Sequence, residues 1–290
     1  MPLGIMVSRH SAFYSPLIAT IAAGFLREQG LDATYDVLKP GQRSHALLRD
    51  GVVDIMQSAV SSNWRLIESG ETPRPVHFAQ INRRDGFFLA GRSPDPHFQW
   101  KKLEGAALLA DHGLQPLVML KYAAHFNGAD WTRIRVIDAG SPEQMDAAFR
   151  AGQADYVHLQ APAPHQISKD GAGFVVASVG ASMPEVAFSS LCASAEFLQT
   201  ARAQAFLQAF GKARQWVREA PPAEIADREA SFFPGVDSDV LAAAIEAYQE
   251  LGCWEGDFAI PEDLYQQALT VFEHAGAVRA RHPFERWNAL

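Results

Sequence analysis

The chain of 290 residues contains only two cysteines, Cys192 and Cys253, far apart in sequence. Two distant thiols make neither a disulfide framework nor a thiolate metal site, so each reads as a small buried hydrophobe. Basic charge is also scarce: 25 Lys and Arg stand against 33 Asp and Glu, a formal charge of -8. Nucleic acid, which draws on a basic face, is not an expected partner. No apolar run reaches the length a membrane-spanning helix needs. The glycine-rich GxGxxG and phosphate-loop motifs are missing, and the ten histidines are scattered without a His-x-x-x-His on one helix face. No metal and no cofactor are therefore expected. The amino terminus shows no basic segment with an apolar stretch and a small-residue cleavage site; Met1 runs straight into the strand-like "PLGIMV". The expected location is periplasmic if a leader has been removed, and cytoplasmic if Met1 is the native start.

What is present is a globular composition, 48% hydrophobic and 20% charged, in a chain long enough for two domains. Its first two thirds repeat. Residues 16–70 and 116–171 share Ala22-Ala23 and Phe25 with Ala123-Ala124 and Phe126, and Arg49, Gly51 and Asp54 with Arg150, Gly152 and Asp155, at a constant offset. Each half reads as alternating strands and helices. Strands are expected at 3–8, 31–38 and 53–57, then at 106–110, 132–138 and 154–159; helices at 16–29, 43–50 and 61–69, then at 116–127, 142–151 and 162–169. That alternation predicts parallel βαβ units. Strand-like runs at 75–81 and 86–91 flank "NRRDG", and two more strands follow residue 171. Beyond Ser194 three amphipathic helices are expected, one of them capped by Asp237 or Ser238 and one opening after Pro261, covering the first half-domain.

Open parallel sheets gather ligands at the carboxyl ends of their strands. Two such sheets joined by strand crossings can turn those edges toward each other, which predicts a ligand cleft and hinge closure. The expected lobes are 1–84 with 186–290, and 85–185. The order of elements resembles the nitrate/sulfonate/taurine group of substrate-binding proteins and the thiamine-pyrimidine-precursor family. The segments that carry the resemblance are "HSAFYSPLIATIAAGFLREQGLDATY", "LLRDGVVDIMQS" and "FRAGQADYVHLQAPAP". Where that family has a Trp-Glu-Pro-like stretch, this chain has Gln160-Ala161-Pro162. The resemblance implies a type II periplasmic-binding-protein fold. It also implies a small-molecule receptor, with a planar heteroaromatic compound or a small organic anion as ligand and an ABC permease as a further partner.

Candidate ligand residues follow from the loops. His10, Ser11, Phe13 and Tyr14 make an aromatic and polar platform before the first helix. Gln42 opens the second helix, with Arg43 read as solvent-facing. Ser58, Ser61, Asn63 and Trp64 follow the third strand. Gln80 and Asn82 stand at the outgoing crossing, Glu185 and Phe188 at the return. The second half supplies Asp111, His112, Leu114, Gln115 and Gln160. An enzyme on the same fold is the alternative. The family's synthases use a histidine and a cysteine-rich segment, which this chain lacks, and the first strand-helix loop holds no nucleophilic cysteine. His10 or His112 with Asp111 is what such an enzyme would have to use. A cytoplasmic ligand sensor is the third reading.

Overall fold

The structure is a computed structural model and describes residues 1–73 and 75–284. The chain begins with β1 (Leu3–Val7), α1 (Ser15–Ala22), α2 (Phe25–Glu28), β2 (Ala33–Val37), α3 (Ser44–Arg49), β3 (Ile55–Ser58) and α4 (Ser61–Glu68). Strands β4 (Val76–Asn82) and β5 (Phe87–Gly91) carry it across to the second run. That run comprises β6 (Ala107–Leu109), α5 (Leu114–Phe126), β7 (Arg135–Ile137), α6 (Pro142–Arg150), β8 (Tyr156–Gln160) and α7 (Ala163–Lys169). Strands β9 (Phe174–Ser178) and β10 (Ser189–Ala193) bring the chain back. It ends in α8 (Ala195–Leu198), α9 (Ala201–Glu219), α10 (Pro222–Glu229), α11 (Ser238–Glu250) and α12 (Glu262–His274).

The strands form two five-stranded mixed sheets, β2-β1-β3-β10-β4 and β7-β6-β8-β5-β9. In the first, β1 pairs in parallel with β2 and β3, and β10 runs antiparallel between β3 and β4. In the second, β6 pairs in parallel with β7 and β8, and β5 runs antiparallel between β8 and β9. The repeated Gly-x-x-Asp step has the same work in both halves. Gly51 and Gly152 end their helices at φ 66° and 81°, the left-handed turn glycine adopts without a Cβ penalty. The aspartate that follows then ties down the first strand: Asp54 Oδ2 accepts from the Gly4 amide and Asp155 Oδ2 from the Ala107 amide, each at 2.8 Å.

The two crossings, 83–86 and 179–188, run against each other. A Cβ on Gly180 would lie 2.2 Å from the Asp85 carbonyl oxygen, and one on Gly86 would lie 2.4 Å from the Phe13 ring, so neither site accepts a side chain. Glu185 pairs with Arg83 at 2.6 Å and Arg84 at 2.8 Å, clamping one crossing to the other.

The carboxyl-terminal helices do more than cover the first sheet. Helices α9 and α10 pack on α1, α9 as expected, but α11 also lies against α7, and α12 against α5. The sequence reading did not include α10. Asp237 stands at the expected cap position of α11, yet its carboxylate pairs with Lys169 at 3.0 Å instead of capping. The reach of α11 has a polar cause as well as an apolar one. Tyr248 is fully buried, and its hydroxyl donates to the Gly86 carbonyl at 2.8 Å while accepting from the Ala161 amide at 3.0 Å. One continuous core accordingly joins Leu3, Phe13 and Phe210 to Phe87, Leu120 and Tyr248.

Replacing Tyr248 with Phe keeps the ring but strands two buried backbone groups. A loss of about 1–3 kcal/mol in unfolding free energy is expected, read from urea titrations of both proteins. An unchanged midpoint would mean the hydroxyl does not bind the crossing.

Candidate functional site

The carboxyl ends of β1, β3, β6 and β8 open onto one cavity of about 680 Å³. Small-molecule sites fall in the range of roughly 300–1,000 Å³. Ser8, Arg9 and Tyr14 enter it from the loop after β1, Gln57 and Ser58 from the end of β3, and Ser61 and Asn63 from the start of α4. Leu114 and Gln115 enter from the start of α5, Gln160 from the end of β8, and Phe87 and Phe188 from the crossing segments. Side chains span the gap at several points. Ser61 Oγ donates to Gln115 Oε1 at 2.7 Å, and Gln115 Nε2 donates to the Phe188 carbonyl at 2.5 Å. Arg9 reaches over to pair with Asp111, and Ser11 Oγ donates to the Ala161 carbonyl at 2.7 Å. On the first sheet Gln57 is held in place, its Oε1 accepting from the Ser8 amide at 3.0 Å and the Ser8 hydroxyl at 2.7 Å.

Of the residues expected from sequence, Tyr14, Gln42, Ser58, Ser61, Asn63, Leu114, Gln115, Gln160 and Phe188 line this cavity. The others lie elsewhere, for identifiable reasons. His10 is turned to the carboxyl-terminal segment, with Nε2 2.8 Å from the Phe232 carbonyl and Nδ1 3.0 Å from the Tyr35 hydroxyl. Ser11 is used by the Ala161 bond and by the Phe13 amide. Phe13 is core, packed on Tyr14, Phe188 and Tyr248. Trp64 is core too, its indole N–H donating to the Tyr265 hydroxyl at 2.8 Å. Gln80 is buried behind the crossing, its main chain bound by Phe258 and Arg214. Asn82 donates to Ser189 Oγ at 2.7 Å. Asp111 sits behind the cavity wall on Arg9, His112 bonds the Ala110 carbonyl at 2.8 Å, and Glu185 is the crossing clamp. His10 and His112 therefore do not come together with Asp111 at the cavity. Arg43, read as solvent-facing, is exposed and also borders the cavity rim.

Sequence reasoning missed Ser8, Arg9, Gln57 and Phe87. Arg9 had a usable signal, its place inside the aromatic loop that was singled out. Its guanidinium stands 5.6 Å from the centre of the Phe87 ring, and Phe87 stacks on the buried His158 at 4.3 Å. Burial governs the titration of the surroundings. It pushes the Tyr14 hydroxyl up to about 12 although Arg9 pulls the other way, and lowers His158 to about 3. Asp85 in the crossing is pushed up to about 8, mainly by burial and further by Asp111, against the Phe87 amide that donates to its Oδ1 at 2.7 Å. Tyr14 and His158 are thus uncharged at neutral pH, and Asp85 is shifted toward its protonated form there. Among the described residues no cluster of three or more His, Cys, Asp or Glu is arranged to hold a metal ion.

Comparison with known proteins places this geometry. The sequence profile of a family described as NMT1/THI5 like matches residues 12–224. The chain belongs to the NMT1/THI5-like family. A Bacillus subtilis strain 168 protein named "Putative binding protein YtlA" is 27% identical to this chain over 281 residues, 96% of this chain and 84% of the relative. Solved structures share the fold. The alkanesulfonate-binding protein SsuA of Xanthomonas axonopodis pv. citri, bound to MOPS, has a TM-score of 0.74 at 14% identity, covering 99% of this chain and 98% of that one. A zinc-bound ligand-binding component of an ABC-type import system from Staphylococcus aureus scores 0.75 at 15% identity, covering 100% and 96%. The nitrate-binding protein NrtA of Synechocystis PCC 6803 scores 0.66 at 17%, covering 96% and 82%. The chain therefore has the type II periplasmic-binding-protein fold expected from its sequence.

The raised Asp85 carboxyl has a testable consequence. The folded protein keeps a proton that the unfolded chain releases above about pH 4, so this group's contribution to stability falls as pH rises from about 4 to about 8, then levels off. Asp85→Asn removes that slope. Urea midpoints measured between pH 5 and pH 8 are expected to fall more steeply for the native protein than for the variant; parallel curves would contradict a buried neutral acid.

Proposed function

We propose that this chain is the solute receptor of an ABC-type importer, closing two lobes on a compact polar organic molecule. The lobes are residues 1–84 with 186–290, and residues 85–185, with the crossings as the hinge. The observation that carries the reading is the ring of neutral hydrogen-bonding side chains drawn from both sheets around one cavity: Gln57 and Ser61 from one, Gln115 and Gln160 from the other. Amides and hydroxyls of this kind hold and orient a ligand without acting as strong acids, bases or nucleophiles. Tyr14, Phe87 and Phe188 offer ring surface beside them, which suits a planar ligand. The fold neighbours SsuA, NrtA and the Staphylococcus component, named for sulfonate binding, nitrate binding and ABC import, support receptor function. Among the described residues no helix is long and apolar enough to cross a membrane, so a separate permease would carry the transport step. On this reading the chain works outside the cytoplasmic membrane, in the periplasm or its equivalent.

Thermal unfolding against pyrimidines, alkanesulfonates, nitrate and aromatic acids tests this reading. A true ligand raises the midpoint with concentration by mass action, by about 2.7 kcal/mol of added stability at one hundred times Kd. Gln160→Ala is expected to weaken that ligand at least tenfold while leaving the unliganded midpoint nearly unchanged. Turnover of the compound, in place of retention, would overturn the receptor reading.

A further inference from the structure

Among the described residues, the inner wall of the cleft carries one guanidinium, that of Arg9; Arg43 and Arg65 lie exposed at its rim. A half-buried guanidinium facing a cavity, next to the amino-terminal end of a 13-residue helix, would ordinarily draw an anion. Here both features are already taken by a single side chain. Asp111 Oδ2 pairs with Arg9, and Asp111 Oδ1 accepts from the Gly113 amide at 2.7 Å, immediately before α5. Asp111 is 4% exposed. Gly113 lets the carboxylate sit so close, since a Cβ there would come 2.9 Å from Oδ1. The remaining wall points the same way. Asn63 Oδ1 and Gln160 Oε1 are buried cavity-wall acceptors without a hydrogen-bond partner, and such oxygens call for an N–H or O–H donor and repel an anion.

We propose that Asp111 is a built-in anion that sets the charge specificity of the cleft: by pairing with Arg9 and accepting from the Gly113 amide it excludes small anions and reserves the cavity for ligands uncharged where they meet that wall. This deepens the receptor reading and rests on the cleft being the binding site. An external anion has to displace a carboxylate tethered at the same spot, whose effective concentration reaches the millimolar range or beyond. The exclusion is strong because Arg9 and Asp111 stand in the loops after β1 and β6, strands of different sheets, so a competing anion would also break one of the links across the cleft.

The test uses small anions alone and needs no knowledge of the physiological ligand. Thermal unfolding of the full chain is followed against sodium formate, acetate and methanesulfonate at constant ionic strength. The native protein, Asp111→Ala, Asp111→Asn, and Asp111→Ala combined with Arg9→Gln are compared. Asp111→Ala is expected to gain a saturable stabilisation by acetate or formate, at least tenfold tighter than any response of the native protein. The double variant is expected to lose it. Asp111→Asn, which keeps an acceptor for Gly113 but no charge, is expected to gain a weaker response and gives the reading if the alanine variant does not fold. A native protein that binds these anions as tightly as the variants, or folded variants that bind none, would overturn the proposal. Either result leaves the receptor reading to its own compound panel, and an empty panel leaves the anion test interpretable.

Discussion

The structure depends on one constraint, the exchange of strands at the two crossings. Each sheet has three strands in the order second-first-third, and each is continued by an antiparallel strand that touches a crossing: β10 in the first sheet, β5 in the second. Because β5 and β10 run against the parallel strands beside them, the crossings leave from the edges where β3 and β8 end. The loops after β1, β3, β6 and β8 are thereby brought to one gap. Gly86 and Gly180 allow the crossings to pass in contact, Glu185 and its two arginines hold them, and the Tyr248 hydroxyl ties the first crossing and the end of β8 to α11.

Polar groups in this region are kept neutral or paired by burial. Asp85 retains a proton near neutrality, His158 gives its proton up, and Arg9 and Asp111 cancel each other. Low dielectric makes an uncompensated charge costly here. On the proposed reading, such a wall turns small anions away and sorts uncharged ligands by hydrogen-bond pattern and shape. That property separates the question of fold, which the chain shares with sulfonate- and nitrate-binding proteins, from the question of what it binds.

The fold was largely legible in the sequence because its signals are local. Alternating strands and helices, the left-handed Gly51 and Gly152, and the aspartates three residues later recur in both halves, and each is a short-range device that survives low identity. The packing of α11 on α7 and of α12 on α5, helices of the second half, was not legible, since the apolar face of a helix does not say which surface covers it. The site was legible at the level of loops. Individual side chains were harder, because His10, Trp64 and Asn82 each found partners distant in sequence: Phe232, Tyr265 and Ser189. Arg9 was overlooked for the same reason, since its partner Asp111 lies in the other half of the chain.

The central claim is that two sheets turn their loop-bearing edges to one cleft, close enough for Ser61 to bond Gln115. Cross-linking tests it most directly. With Cys192, which borders the cavity, replaced by Ser, cysteines are placed at positions 61 and 115 singly and together and treated with a short bis-maleimide. The account predicts rapid intramolecular cross-linking in the double variant and none in either single variant. A double variant that reacts fully with monofunctional maleimide yet forms no intramolecular link would contradict it.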